Sequence, residues 1–590
     1  MARVVYPPTE QSRRWSTLLQ GNVRYAGFGC LSVIVVSLIL YSPALRGPFI
    51  YDDEVLPISD PRMWDAPFHS WVAGVRPTLM FTYWLNHQGA GTSSYHLLNI
   101  LIHVINTGLI YLAALKLLEL LSIKQKDRFL FALFPAAVFL VHPLETESVA
   151  YIAGRSESLA AMFFLAAYVV YLFRPANGVG WGRSATILAL FVLAVTSKEN
   201  AAILPAVFLL TECFQSDGSF RQSIKTNWRL YVPIALFSVG ALAFIGRVLA
   251  TSGSAGFHLN TLPWYQYFFT EWRAVFAYLR LFVWPLGQSL DHDFPISHTP
   301  LEHGAIIAFV LLLGAMVAAL LFRRRYPLSA FSVLLFFFLL APTSTVIPIA
   351  DPLVERRMYL AALPLCLMVL EFLWRRGWSR EPVVWTCVAL VLTVISVATY
   401  RRNQQWGNAW AFWTDTVNTY PEKTRPYAHL VDTAESLHRC GEVVPFLQRA
   451  DTMMPDDPTI LISWAKVLEC QGEPGPALLK MQRAVFVSPS SLTFELVGLL
   501  YGELGRFKEA KEALDKAVEL GPSSDTAYNA RGLWYELTGR YDSAIRDYSR
   551  ALSLNRMNLS ARIRLARLER SIETQDNSVR DRATPASAGP

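Results

Sequence analysis

Long apolar runs fill the first two thirds of the chain, and they constrain its fold more than any other feature. A membrane-spanning helix needs about 20 apolar residues, and fewer where helices pack within protein. About 11 stretches fit this description: 27–44, 97–118, 129–142, 157–173, 185–197, 200–214, 230–250, 304–322, 328–347, 358–374 and 383–399. Residues after about 420 read as ordinary soluble helix. The sequence therefore predicts an all-α protein in which a polytopic membrane bundle precedes a water-soluble domain.

Basic residues predict how the bundle is oriented. Lys and Arg collect in short cytoplasmic loops. With a cytoplasmic N-terminus and a retained first span, the basic groups on that side are Arg13, Arg14, Arg24, Lys124, Lys126, Arg128, Arg174, Arg183, Arg221, Lys225, Arg229, Arg323, Arg324, Arg325, Arg375, Arg376 and Arg380. Arg401 and Arg402 are the exception. The net charge of +7 thus reflects orientation in a membrane, and we expect no nucleic-acid partner.

Residues 264–287 are apolar enough to suggest another span, but they contain Glu271, Arg273 and Arg280. Counting them as a span would place both downstream arginine clusters outside. We therefore expect interfacial or re-entrant helices on the outer side, although composition alone does not separate this from a span. The soluble domain then follows the last span on the extracytoplasmic side.

Polar and ionisable residues gather in the loops that this topology places outside. They are Asp52, Asp53, Arg76, His96, Asn99, His103, His142, Glu145, Glu147, Arg155, Glu157, Lys198, Glu199, Asp291, Asp293, Asp351, Glu355, Arg356 and Arg357. Ionisable groups at membrane depth are costly and indicate a functional site. Arginine and lysine can hold a phosphate, and a carboxylate can take a proton from a hydroxyl. The alternative for each glutamate is a buried ion pair, and packing is favoured for His96 and His103.

The soluble part is a repeat array. Gly505, Arg506 and Phe507 recur as Gly539, Arg540 and Tyr541. This period of about 34 residues, with small residues at helix crossings, is typical of tetratricopeptide repeats (TPR). Repeats are predicted at about 424–457, 458–491, 492–524 and 525–558.

The domain boundaries follow from these patterns. We predict a cytoplasmic segment at 1–26, a membrane domain at 27–400, a linker at 401–423, a TPR α-solenoid with a capping helix at 424–573 and a disordered tail at 574–590. Of the six cysteines, Cys440 and Cys470 lie in the repeats. A bridge between them would need an oxidising compartment, and we favour free thiols.

The order of several motifs resembles a known family. YDD at 51–53 is followed by RPT, YHLLNILIH, HPLETESVAYIAGRSE, SKE, LRLFVWPL and ERRMYL, and then by the repeats. This set is similar to the transmembrane and TPR-repeat-containing protein O-mannosyltransferases over about residues 27–570. The resemblance implies a GT-C glycosyltransferase fold, a lipid-phosphate-linked sugar donor and Ser/Thr acceptors on the lumenal or extracytoplasmic face.

The resemblance also implies roles for the outer residues. It places the catalytic carboxylate in the first outer loop, where Asp52 and Asp53 stand. Binding of the donor phosphate or sugar is expected from Arg76, His142, Glu145, Glu147, Arg155, Glu157, Lys198, Glu199, Glu355 and Arg356. Asp52 and Asp53 could also hold a divalent metal, and the sequence leaves this open.

The short array and sparse loops are typical of a bacterial member. We then expect a polyprenyl phosphate donor and an inner-membrane protein with periplasmic repeats, or, in a eukaryote, dolichyl phosphate and an endoplasmic reticulum membrane with lumenal repeats. The acceptor polypeptide is expected to contact the repeats. The alternatives are a GT-C transferase acting on a lipid or glycan, a non-enzymatic membrane scaffold, and a transporter, which would need polar residues at the bilayer midplane.

Overall fold

A computed structural model describes residues 29, 31–59, 63, 66–87, 91–121, 123, 125–175, 177–215, 220–251, 254–257, 262–555 and 558–570. The segment predicted at 1–26 and the tail predicted at 574–590 lie outside these residues. The chain divides into two compact units, Met1–Phe412 and Trp413–Pro590. This division falls inside the segment 401–423 that the sequence predicts as a linker.

The first unit is a bundle of helices. Its longer helices are α1 (Leu31–Arg46), α2 (Pro77–His87), α3 (Thr92–Leu117), α4 (Leu133–Val141), α5 (Arg155–Leu172), α6 (Trp181–Val195), α7 (Leu204–Gln215), α8 (Trp228–Thr251), α9 (Trp264–Val283), α10 (Ala305–Phe322), α11 (Pro327–Leu340), α12 (Met358–Arg375) and α13 (Pro382–Trp406). The described residues form no strand beyond one isolated bridge between Ala255 and Ile349.

Among the described residues of this unit, six helices are long and apolar enough to cross a membrane. They contain α3, α5, α8, α10, α12 and α13, and a bent pair at 127–149 would make a seventh span. α8 directs Leu236, Val239 and Leu242 outward, which suits lipid and would be unfavourable in water. The chain is therefore an integral membrane protein with the predicted all-α fold, and the number of about 11 spans stays a prediction.

The centre of the first unit is α5, which packs between α3 and α6. Ala160, Ala161 and Ala167 are buried along it. Such small side chains let neighbouring helices approach closely, because lipid supplies no hydrophobic force between helices and packing must do so. This packing fixes the N-terminal ends of α3 and α5, which carry several of the polar residues.

The second unit consists of paired helices. After α14 (Ala409–Thr419), which contains the division between the units, they are α15 (Arg425–Ser436), α16 (Cys440–Met453), α17 (Pro458–Cys470), α18 (Pro474–Val487), α19 (Ser491–Glu503), α20 (Phe507–Leu520), α21 (Asp525–Leu537) and α22 (Tyr541–Leu554). A Cβ added at Gly498 would lie 2.7 Å from Leu514, and one at Gly532 would lie 2.7 Å from the Tyr548 ring. Equivalent glycines thus permit close helix crossings in successive repeats, as the TPR pattern predicts.

The two ends of the array differ from its middle. Residues 559–570 are helical, and Ala561 and Leu568 pack against the last repeat, where a capping helix is predicted. Towards the other end, Cys440 and Cys470 form a disulfide with their Cα atoms 6.3 Å apart. The expectation of free thiols is therefore wrong. Stacking of adjacent repeats brings the end of α17 beside the start of α16, which spacing along the chain does not reveal.

Candidate functional site

The loop after α1, which the sequence predicts to be the first outer loop, places Asp52 and Asp53 in a single 3₁₀ turn, Tyr51–Val55. Tyr51 has a φ of 54°, in the left-handed region that side chains other than glycine rarely adopt. Such backbone strain persists only where the surroundings hold it in place, and it concentrates at functional sites. The strained residue directly precedes the acidic pair and sends the two carboxylates into different surroundings.

Asp53 faces inward and is buried. Its Oδ1 accepts a hydrogen bond of 2.7 Å from the Ala153 backbone N–H, and its Oδ2 accepts one of 3.3 Å from Ile50. Burial raises the pKa of Asp53 to about 8, with the charge of Asp52 acting in the same direction and the backbone donors opposing it. Asp53 therefore ties the first outer loop to the segment that precedes α5.

Asp52 is only half-buried. Its backbone N–H donates a 2.8 Å hydrogen bond to the Tyr151 hydroxyl, and the Tyr151 ring stacks on Trp406 with centroids 5.7 Å apart. Trp406 Nε1 in turn donates to Thr146 Oγ1 at 3.3 Å. Burial raises the pKa of Tyr151, and the charges of Asp53 and Asp52 add to this, so its phenol stays protonated.

Tyr151 and Trp406 are absent from the sequence prediction. Tyr151 lies inside the motif HPLETESVAYIAGRSE but resembles an ordinary core aromatic, and Trp406 lies in the predicted linker, so neither gave a signal of its own.

Lys198 and Glu199 form ion pairs with two different partners. Lys198 Nζ lies 2.5 Å from Glu157 Oε2, whose second oxygen accepts from Asn200 at 2.9 Å. Glu199 binds both Nε and Nη2 of Arg76 at 3.0 and 2.9 Å, the bidentate geometry that favours arginine. The loop between α6 and α7 thus joins α5 on one side and the start of α2 on the other.

Arg356 provides a third cation at the same end of the unit. Its Nη1 lies 2.5 Å from Glu147 Oε1, and its backbone N–H donates to Glu147 Oε2 at 3.0 Å. Burial lowers the pKa of Lys198, Glu157 opposes this, and the charges of Arg356 and Arg76 lower it further. Arg356 also interacts with Asp52, and Lys198 interacts with both Arg356 and Arg76, so the three cations form a series of neighbours that begins beside Asp52.

The three cations differ in how far they reach solvent. The side chains of Arg76, Arg356 and Lys198 keep 36%, 23% and 15% of their accessible surface. Their carboxylate partners are more deeply buried in each pair. In each pair the glutamate therefore binds the cation on its buried side, and part of the cation remains accessible to a ligand.

Four other predicted binding residues are enclosed by protein. Arg155 is fully buried and donates to Asn99 Oδ1 at 2.6 Å, to both oxygens of Thr82 at 3.3 Å and to the Tyr95 carbonyl at 2.9 Å. Glu145 is also fully buried, and neither carboxylate oxygen has a hydrogen-bond partner among the described residues.

His142 and Glu355 each join two segments that are distant in the sequence. His142 Nδ1 accepts from the Leu144 N–H, so Nε2 donates to the Phe282 carbonyl at 2.9 Å. Glu355 accepts hydrogen bonds from Gln288 Nε2 at 2.7 Å, Ser289 N at 2.7 Å and His292 Nε2 at 2.9 Å. The structure therefore gives both residues complete sets of protein partners.

A small cavity of about 20 Å³, roughly the room that one water needs, lies beside the Lys198–Glu157 pair. Glu157, Asn200 and Arg357 line it together with apolar side chains such as Phe164 and Leu360. Among the residues that the structure describes, no three His, Cys, Asp or Glu side chains are grouped to hold a metal ion. Whether Asp52 and Asp53 bind a metal ion as a pair is tested below with a chelator.

Comparisons with known proteins agree with the motifs. Tetratricopeptide repeat family models match residues 494–523 and 526–558, which are the third and fourth predicted repeats. Over 92% of its length the chain is 23% identical to proteins named protein O-mannosyl-transferase TMTC3 from Mus musculus and Homo sapiens, of which it covers 63%. A thermophilic TPR protein from Thermus thermophilus, TTC0263, is 20% identical over 29% of this chain and 94% of that chain, with a TM-score of 0.26. The predicted resemblance to this transferase family is confirmed.

Proposed function

We propose that this relative of the protein O-mannosyl-transferases moves a hexose from a polyprenyl or dolichyl phosphate carrier to Ser or Thr hydroxyls of proteins outside the cytoplasm. The observation that carries the proposal is the grouping of a half-buried carboxylate, Asp52, with three partly open cations at one end of the membrane unit. The identity over nearly the whole chain supports the same reaction class.

The donor phosphate binds to Arg356, Lys198 and Arg76. Each cation is already oriented by a glutamate, so little rearrangement is needed when negative charge develops on the leaving phosphate. Preorganised positive charge of this kind is often the largest single contribution to catalysis. Glu147, Glu157 and Glu199 hold these cations in place.

Asp52 acts as the base. The acceptor oxygen attacks the anomeric carbon as its proton passes to the Asp52 carboxylate, the bond from that carbon to the phosphate oxygen breaks, and the carrier phosphate leaves. One displacement inverts the anomeric centre. Asp52 is favoured over Asp53 because Asp53 is buried and both of its oxygens accept backbone hydrogen bonds. Asp53 therefore positions the loop.

Arg155, His142, Glu145 and Glu355, for which the sequence suggests donor binding, are assigned positioning roles, because their side chains are enclosed by protein.

The repeat unit supports a polypeptide acceptor, because stacked repeats form concave surfaces suited to extended chains. The Cys440–Cys470 disulfide supports its position outside the cytosol, where such bonds persist.

The proposal is tested by incubating the purified full-length protein in lipid vesicles with a polyprenyl-phosphate hexose and a Ser/Thr-rich envelope protein. Mass spectrometry then locates the added hexose. We expect Asp52→Asn to lower transfer by at least about 100-fold, in line with loss of a general base. The unfolding temperature should stay unchanged, because the Asp52 backbone N–H still donates to Tyr151.

Asp293→Asn is the matched control, since Asp293 is exposed in another outer loop and should keep full activity. Full activity in Asp52→Asn would overturn the base assignment. Hexose found only on lipid would move the acceptor from protein to lipid. Repetition with a chelator tests for a metal.

A further inference from the structure

Helix α9 has a composition that fits neither a span nor a soluble helix. It is one unbroken helix of 20 residues with Glu271, Arg273 and Arg280 along its length. One face is buried and consists of Tyr267, Thr270, Glu271, Ala274, Val275, Tyr278 and Leu281. The other face carries the exposed aromatic residues Trp264, Tyr265 and Phe276.

The partners of the buried face reveal how the helix lies. Near its start, the Tyr267 hydroxyl donates to the Thr343 carbonyl just beyond α11. Near its end, the Tyr278 hydroxyl accepts from the Val354 N–H at 3.2 Å, just before α12. In the last turn, the Phe282 carbonyl accepts from His142, which follows α4.

The charged residues of α9 also bind residues near the start of α12 and in the loop that follows α9. Glu271 pairs with Arg357 at 3.3 Å, at the start of α12. Arg273 donates to the Pro295 carbonyl at 2.8 Å and to Ser297 Oγ at 3.0 Å, and Arg280 donates to the Leu286 carbonyl at 2.8 Å. Glu271 therefore binds the start of α12, and the two arginines bind the loop that follows the helix.

The segment that precedes α9 also binds the loop between α11 and α12. Gly256 N donates to the Pro348 carbonyl at 2.9 Å, and Ala350 N donates to the Ser254 carbonyl at 3.0 Å. The segment before α9 is thus fixed to the loop between α11 and α12, the same loop that receives the Tyr267 and Tyr278 side chains.

Distance along the helix excludes a crossing. From Tyr267 to Phe282 a helix rises roughly 22 Å, most of a hydrocarbon core of about 30 Å. A spanning helix would meet outer loops at one end and inner loops at the other. Instead, both ends of α9 meet the ends of α4, α11 and α12 that lie away from the basic clusters at 323–325 and 375–376.

We infer that α9 lies parallel to the membrane surface, in the interface between lipid and water on the extracytoplasmic side. Its exposed face and residues 283–286 insert among the lipid headgroups. Val283 and Trp284 keep 78% and 63% of their accessible surface and extend the aromatic face. Tryptophan and tyrosine favour this layer, since they are apolar with one polar group. The loops on both sides of α9 then share one compartment, which fixes the orientation of every later span.

The test measures depth in the membrane and is independent of transfer activity. The inference can therefore fail while the proposed function holds, and the proposed function can fail while the inference holds. Tyr265→Cys, Phe276→Cys and Val283→Cys each replace an outward side chain. They are made in full-length protein in which Cys30, Cys213, Cys366 and Cys387 are alanine. Spin labels at these sites, in vesicles of phosphatidylethanolamine and phosphatidylglycerol, report depth by power saturation with oxygen and a nickel chelate.

Leu313→Cys, outward on α10, supplies a deep reference, and Leu479→Cys in the repeats supplies an aqueous one. We expect the three α9 positions to share one shallow depth and to react with an impermeant maleimide from the same side. A maximum of depth at Phe276, with labelling of Tyr265 and Val283 from opposite sides, would show a span and overturn the inference. A steady depth gradient, or three fully aqueous positions, would overturn it equally.

Discussion

Replacement of Arg155 should destabilise the membrane unit, and donor binding should be affected only through that loss. The guanidinium is fully buried, and four of its hydrogen bonds end on Asn99, Thr82 and Tyr95. It also lies 4.6 Å from the centre of the Tyr83 ring. These contacts join α2, α3 and α5 beneath the candidate site.

The expected cost follows from what each variant leaves behind. Arg155→Met removes the donor from buried acceptors on Asn99 and Tyr95 and from half-buried Thr82, at about 1–3 kcal/mol for each unpaired group. Loss of a desolvated cation–π contact adds about 2 kcal/mol. The total, roughly 5 kcal/mol or more, is comparable with the whole stability of an average domain. Arg155→Lys keeps the charge but not the planar fork, so we expect an intermediate loss.

The assay compares unfolding temperature in detergent, followed by size-exclusion chromatography, with the donor KM of the folded fraction. Arg356→Lys is the matched control, because Arg356 is partly open and should bind the donor phosphate. We expect it to raise the donor KM with little change in unfolding temperature. An Arg155→Lys protein with native unfolding temperature and a donor KM raised tenfold or more would refute the positioning role.

Three further predictions concern the surroundings of the site and the repeats. The folded pKa of Asp53, about 8, lies above its ordinary value of 3.8, so the native state holds a proton that the unfolded chain has lost. The free energy of unfolding should therefore decrease as the pH rises from 4 to 8, by at most about 1.4 kcal/mol per pH unit. Denaturation measured at several pH values should show a smaller slope for Asp53→Asn. Cys440→Ser should destabilise the repeats by about 3–4 kcal/mol, since the bond closes a loop across a separation of 30 residues; equal unfolding with and without reductant in the parent would contradict this. Trp406→Ala should cost about 3–5 kcal/mol and lower transfer, because it removes the ring under Tyr151, whereas Trp406→Phe should retain most activity.

The sequence was informative where the physical signal is local. Apolar runs predicted the positions of α3, α8, α10, α12 and α13, because lipid requires uninterrupted apolar helices whatever their neighbours. The 34-residue period likewise predicted the repeats, since each repeat needs the same small residues at its crossing. The ordered motifs predicted the relatives.

The candidate site was predicted as a set of residue types, and its pairing was not. Arg356 and Glu147 are 209 residues apart in the chain, and Lys198 and Glu157 are 41 apart. Nothing in either segment names its partner, so the sequence offered Arg155 as readily as Arg356 for the donor phosphate. Tyr151 and Trp406 carried no polar pattern and were missed for the same reason.

The amino-acid sequence by itself determined that this chain has helices apolar enough for a membrane and that its second part is a TPR array, and it predicted that acidic and basic groups collect in loops on one side. Only the tertiary structure decided which cations stay open, that Asp53 is buried while Asp52 is half-buried, that Cys440 bonds Cys470, and which loops bind α9 near its two ends. Burial preference is a property of each segment, whereas the partner of a charge depends on which helix ends meet, and packing of the whole bundle sets that.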